Sequence, residues 1–251
     1  MTTPILSVTG LHKTFTLHAT GRVITSLDGV ALDVGPGEHV AVAGASGAGK
    51  SSLLRCVYRT YLPDAGRVTL RTGSGPVELT TLPDRQLARL RGREIGYVAQ
   101  FLAAPPRTGP LQHVRTAARR RGLEADAAED AAVGTLRRLG IDEPLWAVDC
   151  SVLSGGERQR VNLAAGIVSP PRLLLLDEPV SALDPGNRER ALAEIDTLAR
   201  REVSVLAVYH DMRIIRRLAT RAVVMDRGRV LADGSPETIL AQHHTALEEV
   251  A

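Results

Sequence analysis

Gly44, a gap of four residues, and then Gly49, Lys50 and Ser51 are the part of this sequence with the most specific chemistry. Glycines let successive backbone N–H groups turn inward around phosphate oxygens, and a helix that starts at the loop adds partial positive charge. A lysine at this spacing reaches the β- and γ-phosphates, and the hydroxyl after it suits Mg²⁺. The stretch VAVAGASGAGKSS, Val40 to Ser52, supplies the required context of apolar strand, loop and helix. Gly44, Ala45, Ser46, Gly47, Ala48, Gly49, Lys50, Ser51 and Ser52 are therefore candidate phosphate-binding residues, with Ser51 on the metal. A glycine-rich turn without a ligand is the competing reading, and the full match in this context argues against it.

A second chemical centre follows the run RLLLL at 172–176, which reads as a strand buried on both faces and ends in Asp177-Glu178-Pro179. Carboxylates at the carboxyl end of such a strand face the crevice where α/β sheets bind ligands. Asp177 is the candidate Mg²⁺ ligand, through water, and Glu178 the candidate general base toward an attacking water. Gln100, at the end of an expected strand over 94–99, has both donor and acceptor for a metal-bound water or a γ-phosphate oxygen. His210 ends an expected strand over 203–208 and joins it as a candidate at the same sheet edge. Leu153-Ser154-Gly155-Gly156-Glu157 opens a further helix, giving a second anion site at Ser154, Gly155 and Gly156. It is also an ordinary capping box, since Ser154 and Glu157 have that spacing.

The elements that must position these groups follow from periodicity and breakers. Strands are expected at 5–10, 15–18 and 22–34, a helix over 51–61 that Pro63 ends, and strands at 67–71 and 77–79. Two helices, about 111–121 and 125–139, sit in a proline-punctuated stretch, with Arg119-Arg120-Arg121 read as a solvated helix end or an acidic-partner surface. Helices over 186–201 and after Pro236, and strands at 221–226 and 229–232, complete the chain. Phe15 follows Lys13-Thr14, either as an exposed aromatic for an adenine ring or as a half-buried strand residue.

Composition bounds the rest. With 251 residues and 44% apolar content the chain can bury a substantial core. No apolar run approaches the roughly eighteen residues that span a bilayer, so a cytoplasmic protein is expected. Cys56 and Cys150 form no C-x-x-C pair. The net charge of +3 comes from 31 basic against 28 acidic residues, and aromatics are 3%, so no nucleic-acid partner is expected.

In order, GASGAGKS, Gln100, LSGGERQR, LLLLDEP, SALD and His210 resemble the ATP-binding cassette ATPases over nearly the whole chain. The resemblance implies an α/β P-loop NTPase with a RecA-like core and β lobe over 1–100 and 155–251, and an inserted helical lobe over 101–154. It implies ATP and Mg²⁺ as cofactors and a head-to-tail pair with a second cassette subunit, identical or different. In that pair Ser154 to Gly156 of one subunit close over ATP held by Gly44 to Ser51 of the other. Phe15 becomes the adenine-stacking residue, and Asp184 of SALD joins the nucleotide-facing set.

Local segments, TFTLH (14–18), YLPDAG (61–66), QFLAAPPR (100–107), Leu145-Trp146 and YHD (209–211), resemble the L protein of the bacterial phosphonate carbon–phosphorus lyase system. That implies soluble lyase subunits as partners and a role in forming ribose 1-phosphonate 5-triphosphate from ATP and an alkyl phosphonate. Val180 stands where the family usually has Thr, and the tail DRGRVLADGSPETIL resembles transporter cassettes instead. The alternative is therefore the nucleotide-binding subunit of an ABC transporter, membrane-peripheral, whose helical lobe grips a permease beside Gln100.

Overall fold

The chain begins with β1 (Leu6–Leu17), β2 (Arg22–Val34), β3 (His39–Ala43) and α1 (Lys50–Val57) in a computed structural model that describes residues 3–17, 19–100, 104 and 106–242. His18 of TFTLH, and Phe101, Leu102, Ala103 and Pro105 of QFLAAPPR, lie outside the described residues. Next come β4 (Ala65–Thr72), β5 (Gly75–Glu78), α2 (Asp84–Arg93) and β6 (Ile95–Val98). Helices α3 (Pro110–Arg120), α4 (Ala125–Arg138) and α5 (Gly155–Ile167) precede β7 (Leu173–Asp177) and α6 (Pro185–Arg200). The order ends with β8 (Ser204–Val208), α7 (Met212–Leu218), β9 (Arg221–Asp226), β10 (Arg229–Gly234) and α8 (Pro236–Gln242). Two compact units result, one from the described residues up to Ala88 and from Ser204 on, the other from Arg89 to Val203.

In the first unit β1 pairs antiparallel with β2 and β4, and β5 adds to β4, in a four-stranded sheet. Leu6, Val8, Leu27, Val30, Val68 and Leu70 are buried and supply its apolar face. The two short strands expected at 5–10 and 15–18 are one strand, because Gly10, at φ 56°, lets the ladder slip register after Val8 without ending. Helix α1 stops at Val57 rather than Tyr61, since Arg59 turns into the left-handed region at φ 60°. The same unit holds β3 hydrogen-bonded in parallel to both β8 and β9, with β10 antiparallel to β9. HVAVA and SVLAV are buried at every position, as strands covered on both faces require.

His39 opens β3 with 4% of its surface exposed, and its Nε2 lies 3.2 Å from the Tyr209 hydroxyl. Burial pushes the imidazole down to about 4, from an ordinary value of 6.5. The unfolded chain therefore takes up a proton here before the folded one does, and stability falls as pH drops from 6.5 toward 4. The loss reaches about 2 kcal/mol by pH 5. His39→Gln is expected to lose less stability between pH 7 and pH 5 in urea unfolding, and an unchanged pH dependence would contradict this titration.

In the second unit β6 and β7 are parallel, from Ile95 opposite Leu173 to Val98 opposite Leu176. Helices α3 and α4 form a hairpin and both pack on α5. Elements α5, β7 and α6 belong to this unit with the helical hairpin. Arg138 at the end of α4 holds both carboxylate oxygens of Glu194 on α6, at 3.0 and 2.9 Å. Arg121, read from sequence as part of a solvated basic run, is a structural cap. Its Nη1 donates to the carbonyls of Ala165, Gly166 and Ser169, each at 2.9 Å, satisfying acceptors that α5 leaves open at its end. Among the described residues no helix is long and apolar enough to cross a membrane.

Candidate functional site

The phosphate loop leaves β3 at Gly44 and enters α1 at Lys50. Gly44 has φ 138°, and a Cβ there would stand 2.1 Å from the Met225 carbonyl oxygen; at Gly49, with φ 100°, it would stand 2.3 Å from that of Ser26. Both positions therefore require glycine for handedness and for space. The loop is tied from the β9–β10 turn, where Gly228 N–H donates to the Ala48 carbonyl at 3.0 Å. Ser46 and Gly47 are exposed at its crest. Helix α1 has no side-chain cap and no acidic residue in its first turn, which leaves the positive end of its dipole for an anion.

Lys50 is 5% exposed, and its ammonium donates to the carbonyls of Gly44 at 2.6 Å and Ala45 at 2.9 Å. The charge is thus fixed along the inside of the loop. Ser51 is half-buried, and Ser52 accepts a 2.8 Å bond from Ser26 Oγ, which seats the first turn of α1 on β2. Parallel pairing of Val42 with Val208 sends the chain after β3 and the chain after β8 out of the same edge. His210 emerges there half-buried, between the buried Tyr209 and Asp211, whose carboxylate caps α7 through Arg213 N–H at 2.8 Å. Phe15 is half-buried, packs edge-on against Tyr61 with centroids 5.1 Å apart, and carries the Lys13 ammonium 5.4 Å from its ring.

The second unit holds the carboxylates. The paired strands β6 and β7 deliver Gln100 and Asp177-Glu178 to one edge. Asp177 is 1% exposed and accepts a 2.8 Å bond from the Tyr97 hydroxyl, while Gln100 Nε2 donates to Glu178 Oε2 at 3.1 Å. Glu178 itself takes φ 52°, a left-handed backbone that costs a non-glycine residue about 1 kcal/mol or more. Ser154 caps α5 in a complete capping box, its N–H bonded to Glu157 Oε2 at 2.7 Å and its Oγ accepting from Glu157 N–H at 3.3 Å. Ser154 and Gly155 remain exposed at that helix start, and Gly156 is half-buried. Asp184 caps α6, and hydrogen bonds from the Asn187 side chain and N–H hold its carboxyl below the usual range.

The donor set fits a magnesium nucleotide. In the first unit Ser51 offers a hydroxyl oxygen, and in the second Asp177 offers a carboxylate and Gln100 an amide oxygen, each the hard donor that Mg²⁺ takes. Spacing alone did not bring out Tyr97, Gln159, Ser26 or the His39–Tyr209 pair. Gln159 carried a signal, as a polar residue inside a helix pattern that buries it.

A P-loop ATPase of the cassette type is the class of protein these elements define. The family model for "ABC transporter" matches residues 27–181. Over 246 residues the chain is 31% identical to the methionine import ATP-binding protein MetN of Haemophilus influenzae, covering 98% of this chain and 69% of that protein. It is 33% identical to the phosphonates import ATP-binding protein PhnC of Bdellovibrio bacteriovorus, with 94% and 90% covered. The dimeric post-hydrolysis structure of the cassette MJ0796 bound to ADP and Pi superposes with a TM-score of 0.83 at 25% identity, covering 92% of this chain and 98% of that one. The chain belongs to the ABC transporter family of ATP-binding cassettes. It is accordingly an ATPase, with ATP and Mg²⁺ as its cofactors.

Proposed function

We propose that the chain is the nucleotide-binding subunit of an ABC transporter, acting in a pair of cassettes on a separate membrane permease. The observation that carries this reading is the similarity to the import ATPases MetN and PhnC over 98% and 94% of this chain. It displaces the expected assignment to a soluble phosphonate-lyase complex, which these relatives do not support. The two relatives are named for different cargoes, methionine and phosphonates, so the similarity assigns no cargo to this chain.

In this reading Gly44 to Ser52 grip the phosphates, Lys50 supplies the cation, and Phe15 stacks on the adenine. Ser51 of the first unit and Gln100 and Asp177 of the second would offer oxygens to Mg²⁺, which would supply positive charge against the phosphates. Glu178 accepts a proton from the water that attacks the γ-phosphorus, while the bond to the ADP oxygen breaks; His210 orients that water or the γ-phosphate. Ser154, Gly155, Gly156 and Asp184 serve the nucleotide held by the partner cassette.

A surface in the second unit suits a permease. Just before Ser154, Val152 is 70% exposed, and a cavity of about 300 Å³ opens among Ala104, Pro106, Arg107, Asp149, Cys150, Ser151 and Arg158. An apolar side chain that exposed, next in sequence to the cavity-lining Ser151, suits a helix from a membrane partner. Tagged protein purified from its own cells is expected to bring membrane-spanning subunits in detergent. Val152→Arg should lose them while the purified subunit keeps its basal ATPase rate. Recovery of only soluble lyase subunits without detergent would sink the transporter reading.

A further inference from the structure

Glu178 stands in a backbone conformation that glycine would adopt freely and glutamate does not, so something must hold it there. The restraint comes from α5. Gln159, one turn past the Ser154 cap, is 2% exposed, and its side-chain amide is bonded at both ends to the turn that follows Glu178. Nε2 donates to the Glu178 carbonyl at 2.7 Å and lies 3.3 Å from Ser181 Oγ, while Oε1 accepts from Ala182 N–H at 2.8 Å. A peptide plane gripped at its oxygen has little freedom about the preceding ψ, and that torsion sets where the Glu178 Cα–Cβ bond points. The next residue extends the grip. Arg160 Nη1 donates to the carbonyls of Leu139 and Gly140, at 3.1 and 2.5 Å, and to Asn187 Oδ1 at 2.9 Å. Helix α5 therefore holds the 178–187 segment at both ends and is itself anchored to the end of α4.

We propose that Gln159 is a positioning residue for hydrolysis: it keeps Glu178 in its left-handed conformation, aims the carboxylate, and ties that aim to the helix that begins at Ser154. The proposal rests on Glu178 acting as the general base. A glutamine buried merely to fill space between helices has no reason to spend donor and acceptor on one strained turn. Gln100 holds the Glu178 carboxylate from the other side, so the side chain is fixed at its tip and at its root.

The test uses Gln159→Met, near in volume with no hydrogen-bonding amide, and Gln159→Glu, which keeps shape but sets an acceptor against the Glu178 carbonyl. Steady-state ATPase assays at a temperature where circular dichroism shows both variants folded are expected to give kcat at least about 10-fold lower, with KM for ATP within about twofold. If Gln159 works only through Glu178, Gln159→Met added to Glu178→Gln should leave the residual turnover unchanged. An unchanged kcat in folded Gln159→Met overturns the proposal, as does an equal loss in the Glu178→Gln background. Should Gln159→Met fail to fold, Gln159→Glu is read by the same two criteria. Failure of the reading beneath it appears separately, as full turnover in Glu178→Gln alone.

Discussion

Glu178→Gln should bind ATP and almost cease to hydrolyse it, with kcat lower by about 100-fold or more and ATP affinity retained. The substitution keeps size, and its amide can still meet Gln100, which now stands 3.1 Å from Glu178 Oε2. What it removes is the basic oxygen. Because the left-handed backbone is set by bonds from Gln159 to main-chain atoms, the variant should hold the same geometry and melt near the parent temperature. Binding groups on the loop after β3 are untouched, so the nucleotide accumulates unhydrolysed. In a protein that pairs when ATP is bound, this variant runs as a dimer with ATP and Mg²⁺ in size-exclusion chromatography and as a monomer without them. Hydrolysis at the unmutated rate would remove Glu178 from the role of base, and loss of binding together with turnover would mean the carboxylate serves the ground state instead.

The candidate site was legible in the sequence because its residues sit where backbone geometry leaves little choice. GASGAGKS announces itself since Gly44 and Gly49 admit no side chain, and LLLLDEP since charge directly after a fully buried strand needs a purpose. Most helices and strands were readable to within a few residues for the same reason, as periodicity and breakers agree with burial. Long-range pairing was less legible. The continuity of β1 depends on Gly10 slipping the register against β2, which no local pattern displays. Arg121 looked like surface charge because its partners, carbonyls in the last turn of α5 and just past it, lie more than forty residues on. Gln159 looked like one more polar residue of a helix start, and only folding shows its amide turned onto the residues after Glu178. The soluble-complex expectation failed for a different reason. Short aromatic and proline words such as YLPDAG and YHD meet local packing needs, Tyr61 against Phe15 and Tyr209 against His39, and so report little about partners.

Lys50→Ala should abolish the energetic preference for nucleotides carrying a γ-phosphate. The ammonium lies along the loop with carbonyl partners at 2.6 and 2.9 Å, a position from which it can exchange one neutral acceptor for a phosphate oxygen at small geometric cost. A charge-assisted bond of that kind contributes about 1.5–3 kcal/mol, so ATP affinity is expected to fall by about 10- to 150-fold. The adenine contact proposed for Phe15 and the N–H groups of the loop are untouched by the substitution, which should leave weaker binding that no longer separates ATP from ADP. The fold is expected to survive, because these Lys50 bonds run to the loop's own carbonyls, and Ala45 beside the exposed crest is itself only half-buried. Lys50→Arg should not restore affinity: a planar fork cannot occupy the space of a compact ammonium between two carbonyls. Calorimetric titration with ATP and with ADP checks both variants. Unaltered ATP affinity in a folded Lys50→Ala protein would remove the loop from the phosphate site, and with it the first step of the mechanism.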